Sequence, residues 1–339
     1  MNAILQCFCQ IREFVSYFKY DNHINEAINN YSNKKKDSLT AFFKNIIDKI
    51  WPDKNIINKI NISNHKVIES TKINMNPILK NKYSGAPKDL INFIIMTLHD
   101  ELNQDLNDNK KNQIKNDLIK NNSQRKYAFK LFNQEYHRRF NSKINELFCA
   151  IKEIKTQCLN CANSFYNFQI YYLLIFPLED IRKYALNKIN INDKNNKKCF
   201  KNTNQDFARS QKLNNNIINI LDCFEYNRRT ELLQGENQIF CNICEKMVDA
   251  NHTSILLTAP KILIILFNRG IILQTQIKIE FSKELNITNY INNNFENNNI
   301  YKLIGIITYQ GEFEKDGHFI AHCLSPIDNE WYTYNDAIV

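Results

Sequence analysis

Two short segments of identical spacing, CLNC at Cys158–Cys161 and CNIC at Cys241–Cys244, constrain this chain more than any other feature. Each C-x-x-C places two thiolates on one tight knuckle, where they can occupy two corners of a tetrahedral Zn²⁺ at about 2.3 Å. Together they make a complete Cys₄ set, a closed structural site with no open position for catalysis. Any fold built on it must bring together two hairpins that are distant in sequence. Loop-closure entropy grows only slowly with length, so the separation does not exclude the site. The rival reading is two unrelated buried pairs or redox dithiols. The recurrence of the spacing, each time before an apolar β-like run, favours zinc. Cys149, Cys199, Cys223 and Cys323 have no partner at this spacing and read as packing residues.

The 339 residues are 43% hydrophobic and 12% aromatic, enough to bury a real core. The net charge is +9. Its lysines, however, are scattered among asparagines, as in NDKNNKKCFKN, with little aromatic interleaving. That is the pattern of a solvated loop, so nucleic acid is not expected as a partner. No apolar run reaches about 18 residues, and no membrane span is expected. The most apolar stretch, SILLTAPKILIILF, is interrupted by Pro260 and Lys261. With no secretory signal in view, ten cysteines point to a reducing compartment, cytoplasmic and/or nuclear. A monomer is the expectation.

Residues 1–20 carry Ile4, Leu5, Phe8, Ile11, Phe14, Val15 and Phe18 at helical spacing and predict one helix. SLTAFFKNIIDKIW predicts a second, capped by Ser38 or Thr40. PKDLINFIIMTLHDELN predicts a third, with Leu90, Phe93, Ile94 and Leu98 on one face. Residues 104–124 and 187–217 are Asn/Lys-rich and read as insertions. From NSFYNFQIYYLLIFPL onward the pattern turns β-prone. TSILLTA, KILIILFNR, YKLIGIITYQ, HFIAHCL and EWYTYN read as strands of an antiparallel sheet. The layout is a helical lobe followed by a β-rich one.

HFIAHCL and EWYTYN predict a hairpin turning around Ser325–Asp328. If Leu324 pairs with Asn329, His318 lies opposite Asn335. A one-residue change in turn length would make the partner Asp336. Directly opposed side chains stand about 5 Å apart at Cβ. A carboxamide or carboxylate there fixes an imidazole's tautomer and orientation, as a general base requires. Gly317 permits close backbone approach. His252 and His322 lack such surroundings and read as incidental. A base needs a nucleophile, and cysteine is the natural one in a reducing compartment.

Several stretches together resemble the ubiquitin-specific protease family, the papain-like cysteine deubiquitinases. MNAILQCF resembles the end of its cysteine box, N-x-G-N-T-C-Y-M-N-S/A-x-L-Q. YKLIGIITYQGEFEKDGHFIAHCL with WYTYNDAIV resembles its histidine box. CLNC, LLQGENQIFCNICEKMVDA and LTAPKILIILFNR resemble the zinc-bearing fingers and the strand after them. GAPKDLINFIIMTLHDELN is a weaker match to the substrate-facing helix. The resemblance runs in order along nearly the whole chain.

It implies an α+β papain-like cysteine protease fold in one catalytic domain. Residues 1–150 would form a helical thumb, 151–178 and 222–258 zinc-bearing β fingers, 179–221 an Asn/Lys-rich insertion with a flanking palm segment, and 259–339 an antiparallel β palm. It implies hydrolysis after the C-terminal glycine of ubiquitin on protein conjugates, with His318 as base, Asn335 as its orienting partner and Asp336 beside it. Asp89, Gly317 and Phe319 would touch substrate. Cys158, Cys161, Cys241 and Cys244 would hold structural Zn²⁺. The departures are Tyr309 for a common histidine, APKDL for a D-A-x-E-F pattern, and Phe319 for a frequent tyrosine.

Laid on the cysteine box, Met1 falls two residues after the nucleophile, and both ends of the chain look cut. The chain as given is therefore expected to be inactive, with a ubiquitin-binding pseudoenzyme as the alternative. Cys7 lies roughly 12 Å down the helix from the expected thiolate. Cys7 and Cys9 therefore read as helix packing residues rather than replacements.

Overall fold

The computed structural model describes residues 2–33, 38–52, 87–104, 125–195, 203–269, 277–292, 299–311 and 317–335. The expected insertion at 104–124 lies almost wholly outside them. The helices are α1 (Asn2–Cys9), α2 (Arg12–Tyr20), α3 (Asn22–Asn33), α4 (Leu39–Ile50), α5 (Pro87–Leu102), α6 (Arg125–Arg139), α7 (Lys143–Phe148), α8 (Leu178–Asn195), α9 (Thr203–Asn214) and α10 (Ile220–Asn227). No helix among the described residues is long and apolar enough to cross a membrane. The chain divides into two compact units, one of residues 1–106, 138–148 and 303–339, the other of 107–137 and 149–302.

In the first unit, the single helix expected over residues 1–20 is two helices. Ile11 is extended (φ −77°, ψ 109°) between them. Neither glycine nor proline marks the break. The N–H groups of Gln10 and Ile11 close the end of α1 onto the carbonyls of Cys7 and Phe8. Tertiary packing sets the bend. Phe8, Phe14, Phe18, Phe43 and Phe148 are all buried and contact one another, with Phe14 and Phe43 edge to face at 5.4 Å. Such contacts add to the burial of large rings. On α5 the buried face is wider than expected: Ile91 and Ile95 join Leu90, Ile94 and Leu98, while Phe93 is only half-buried.

The N-terminus of α4 is held by the far end of α5. Glu101 accepts from the backbone N–H of Leu39 (2.9 Å) and Thr40 (2.7 Å) and from Ser38 Oγ (2.9 Å). Ser38 is the N-cap and accepts from the N–H of Ala41. A carboxylate on otherwise orphaned N–H groups also meets the positive end of the helix dipole. Glu101→Gln puts an amide donor against these donors. It is expected to lower unfolding free energy by about 1–3 kcal/mol in denaturant titration, with Glu101→Asp falling between.

The same unit contains an antiparallel sheet of three strands in the order Gly305–Gln310, His318–Leu324, Trp331–Tyr334. Ala3 and Cys7 of α1 pack on one of its faces with Ala321, Cys323 and Tyr334.

The second unit is built on four antiparallel strands in spatial order Ser164–Tyr171, Ala150–Cys158, Ala250–Leu256, Thr230–Leu233. The late apolar runs do not form the one antiparallel sheet expected of them. Ile265–Asn268 pairs in parallel with Leu174–Pro177, and Ile300–Lys302 pairs with Glu284–Asn286. The expected insertion at 187–217 is largely helical where it is described. Leu178, Ile181, Ala185 and Ile189 of α8 line up on one buried face, joined by Leu213 of α9.

Candidate functional site

The hairpin from His318 to Asn335 has a longer turn than expected. Asn329 adopts a left-handed conformation (φ 58°), and the N–H of Ser325 bonds the carbonyl of Glu330. Leu324 therefore pairs with Trp331 rather than Asn329, a register two residues from the expected one. A shift of two leaves every side chain on its original face. Continued by one step, the observed register puts Asn335 opposite Ile320, diagonal to His318 on the same face. The diagonal is within reach of the longer side chains. His318 Nε2 lies 2.6 Å from Asn335 Oδ1. A carboxamide oxygen only accepts, so Nε2 carries the proton and Nδ1 is the basic nitrogen. Both side chains are half-buried. Asp336 lies outside the described residues.

Three expected substrate contacts have different surroundings. Gly317 is exposed, and the ring of Tyr309 lies directly where a Cβ at 317 would stand. A side chain at 317 would have to displace the exposed Tyr309 ring, so the close approach at this glycine is made by a neighbouring side chain rather than by backbone. Phe319 pairs across the strands with Tyr309, ring centroids 5.0 Å apart. Asp89 is half-buried in the first turn of α5. His322 bonds Thr308 and Thr333, and His252 bonds Thr156, as side chains satisfied within their sheets.

In the second unit Cys158, Cys161, Cys241 and Cys244 converge, with all four sulfurs within 4.8 Å of one another. Cys158 ends one strand, and Ala162, just past Cys161, is left-handed at φ 57°. Cys241 ends the strand Ile239–Cys241, and Glu245, just past Cys244, is left-handed at φ 52°. Two non-glycine residues in this conformation at matching positions mark a backbone held by its surroundings. The Sγ–Sγ distances are 3.9 Å for Cys158–Cys244 and 3.8 Å for Cys161–Cys241. A tetrahedron with Zn–S bonds of about 2.3 Å has edges of about 3.8 Å, so the donor set fits the ion. The N–H groups of Cys244 and Ile243 donate to Cys241 and pull its thiol down to about 7.

Cys9 and Cys223 are fully buried, as packing residues would be, and burial pushes both thiols up to about 12. Cys7 is half-buried against Cys323.

Known proteins place this geometry. The family model for ubiquitin carboxyl-terminal hydrolase matches residues 1–339, and the chain belongs to that family. It is 20% identical over its whole length to ubiquitin carboxyl-terminal hydrolase 2 of Bos taurus, of which it covers 50%. It is 34% identical over 115 residues, 33% of the chain, to ubiquitin carboxyl-terminal hydrolase 25 of Arabidopsis thaliana, of which it covers 17%. The chain thus spans half or less of these curated relatives. Among solved structures, the SAGA DUB module of Ubp8, Sgf11, Sus1 and Sgf73 bound to monoubiquitin superposes with a TM-score of 0.62 at 17% identity. All of this chain and 61% of that one are covered. The module bound to ubiquitin aldehyde gives 0.57, also at 17%, over all of this chain and 62% of that one. The likeness shows a shared mixed helix-and-sheet fold.

Proposed function

We propose that this chain belongs to a thiol-dependent ubiquitinyl hydrolase, cleaving after the C-terminal glycine of ubiquitin on protein conjugates. The 2.6 Å contact of His318 Nε2 with Asn335 Oδ1 carries the reading. Asn335 holds the ring so that Nδ1 is presented as the base. Nδ1 takes the proton of a cysteine thiol, the thiolate attacks the scissile carbonyl, and the imidazolium returns the proton to the leaving amine. By the family resemblance that thiol belongs to the cysteine box, whose end MNAILQCF resembles. By the family resemblance Asp336, next in sequence to Asn335, is the further catalytic acid. Asp89, Gly317 and Phe319 face the ubiquitin tail.

Cys158, Cys161, Cys241 and Cys244 hold a structural Zn²⁺, which would tie the two knuckles together and take no part in the reaction. In the family's terms residues 1–150 serve as thumb, 151–178 and 222–258 as fingers and 259–339 as palm. The protein works as a single chain in the cytoplasm or nucleus, where its thiols stay reduced.

The test uses the gene product and a fluorogenic amide of the ubiquitin C-terminus. Turnover that is blocked by thiol alkylation is expected. Tight ubiquitin binding without turnover would make it a pseudoenzyme, and neither binding nor turnover would overturn both readings.

A further inference from the structure

The thiols of Cys7 and Cys323 face each other although 316 residues separate them, with Sγ–Sγ 3.6 Å. Cys7 projects from α1, and Cys323 lies on the strand that begins at His318. The site has room for both sulfurs because the residue paired with Cys323 is Gly305, whose missing Cβ would stand 3.3 Å from Cys7 Sγ. The two thiols differ in access. Cys323 is fully buried, while Cys7 is half-buried.

We propose that Cys7 and Cys323 are a redox-active pair that closes to a disulfide under hydroperoxide, fastening α1 to the strand that carries His318. The bond needs the sulfurs brought from 3.6 Å to about 2.0 Å. The pairing of roles follows from the surroundings. Cys323 keeps its proton, held well above the usual thiol range by its hydrogen bond to Cys7 and by burial. Cys7, the more accessible of the two, therefore meets the oxidant first.

The Cys7 sulfur attacks one peroxide oxygen. The O–O bond breaks, the other oxygen leaves as water or alcohol with the Cys7 proton, and Cys7 becomes a sulfenic acid. The Cys323 sulfur then attacks the Cys7 sulfur. The S–O bond breaks, and the hydroxyl leaves as water with the proton of Cys323. Two thiols are oxidised and one peroxide is reduced, with no other reactant. The linkage depends on no assignment of activity to the chain.

The test treats the protein with graded hydrogen peroxide and reads intact mass and non-reducing peptide maps. A loss of about 2 Da is expected, with one peptide joining Cys7 to Cys323, reversed by dithiothreitol. The linkage closes most of the chain into one loop, so Tm should rise by roughly 5 °C. In Cys7→Ser, Cys323 should remain a free thiol. In Cys323→Ala, Cys7 should proceed to the sulfinic acid. Recovery of both cysteines as separate alkylatable thiols after the methionines have been oxidised would overturn the proposal. So would a crosslink of either to Cys9, or over-oxidation of Cys7 in the unsubstituted chain. The unsubstituted protein decides the matter even if a variant fails to fold.

Discussion

His318→Ala is expected to lower kcat/KM for a ubiquitin C-terminal amide by about 10³-fold or more in the gene product. General base catalysis alone is typically worth about 10²–10⁴. Here the same ring is asked both to activate the nucleophile and to protonate the leaving group. The loss should fall on kcat, with ubiquitin affinity by calorimetry almost unchanged, because the imidazole reaches the reacting atoms and not the body of the substrate. Asn335→Ala should cost less, about 10- to 100-fold, since a ring without its partner still samples the productive tautomer and orientation. Asn335→Asp should recover much of that loss, because a carboxylate oxygen accepts from Nε2 as the carboxamide oxygen does at 2.6 Å. Activity in His318→Ala within tenfold of the parent would remove the base from the proposed mechanism.

The second large effect is on the knuckles. Purified protein is expected to carry about one Zn per chain, and Cys241→Ser with Cys244→Ser should abolish it. Structural zinc sites fold with their metal, and ligation free energy becomes folding free energy. Cys158 and Cys241 are fully buried among Val248, Phe165 and Ile239, so the site is also a small apolar core. Losing the ion leaves two left-handed turns, at Ala162 and Glu245, without the bonds that hold them. The double variant should melt about 10 °C or more below the parent in differential scanning calorimetry. Its far-UV spectrum should lose part of the strand signal. Full metal content in the double variant would sink the assignment.

What the sequence made legible was local. A C-x-x-C knuckle is specified by four residues, and both formed where read, at Cys158–Cys161 and Cys241–Cys244. The His318–Asn335 meeting was anticipated through a wrong register, and it survived because side chains alternate strictly along a strand. The turn residue that set the true register, Asn329 at φ 58°, is of a type that tolerates that conformation, but composition alone does not say that it will adopt it.

Long-range choices were not legible. Nothing near Ile265–Asn268 announces a parallel partner at Leu174–Pro177. Nothing at Gln10 or Ile11 announces a break. The bend forms because Phe8 and Phe14 must both reach Phe43 and Phe148. For α8 a signal was present and overlooked. Leu178, Ile181, Ala185 and Ile189 recur at helical spacing, but Asn/Lys content masked them. The Glu101 cap and the Cys7–Cys323 contact join residues distant in sequence, and such pairs carry no local mark.

The diagonal placement of Asn335 across from His318 also governs how freely the loop between their strands can drift. At constant turn length, adding two residues near Pro326–Glu330 slides the last strand by a full pleat and sets the carboxamide directly opposite the imidazole. Adding one sends it to the opposite side of the sheet, unless a bulge absorbs the extra residue. Lengthening of this hairpin is therefore tolerated by two residues, whereas an odd insertion would silence the histidine without touching it.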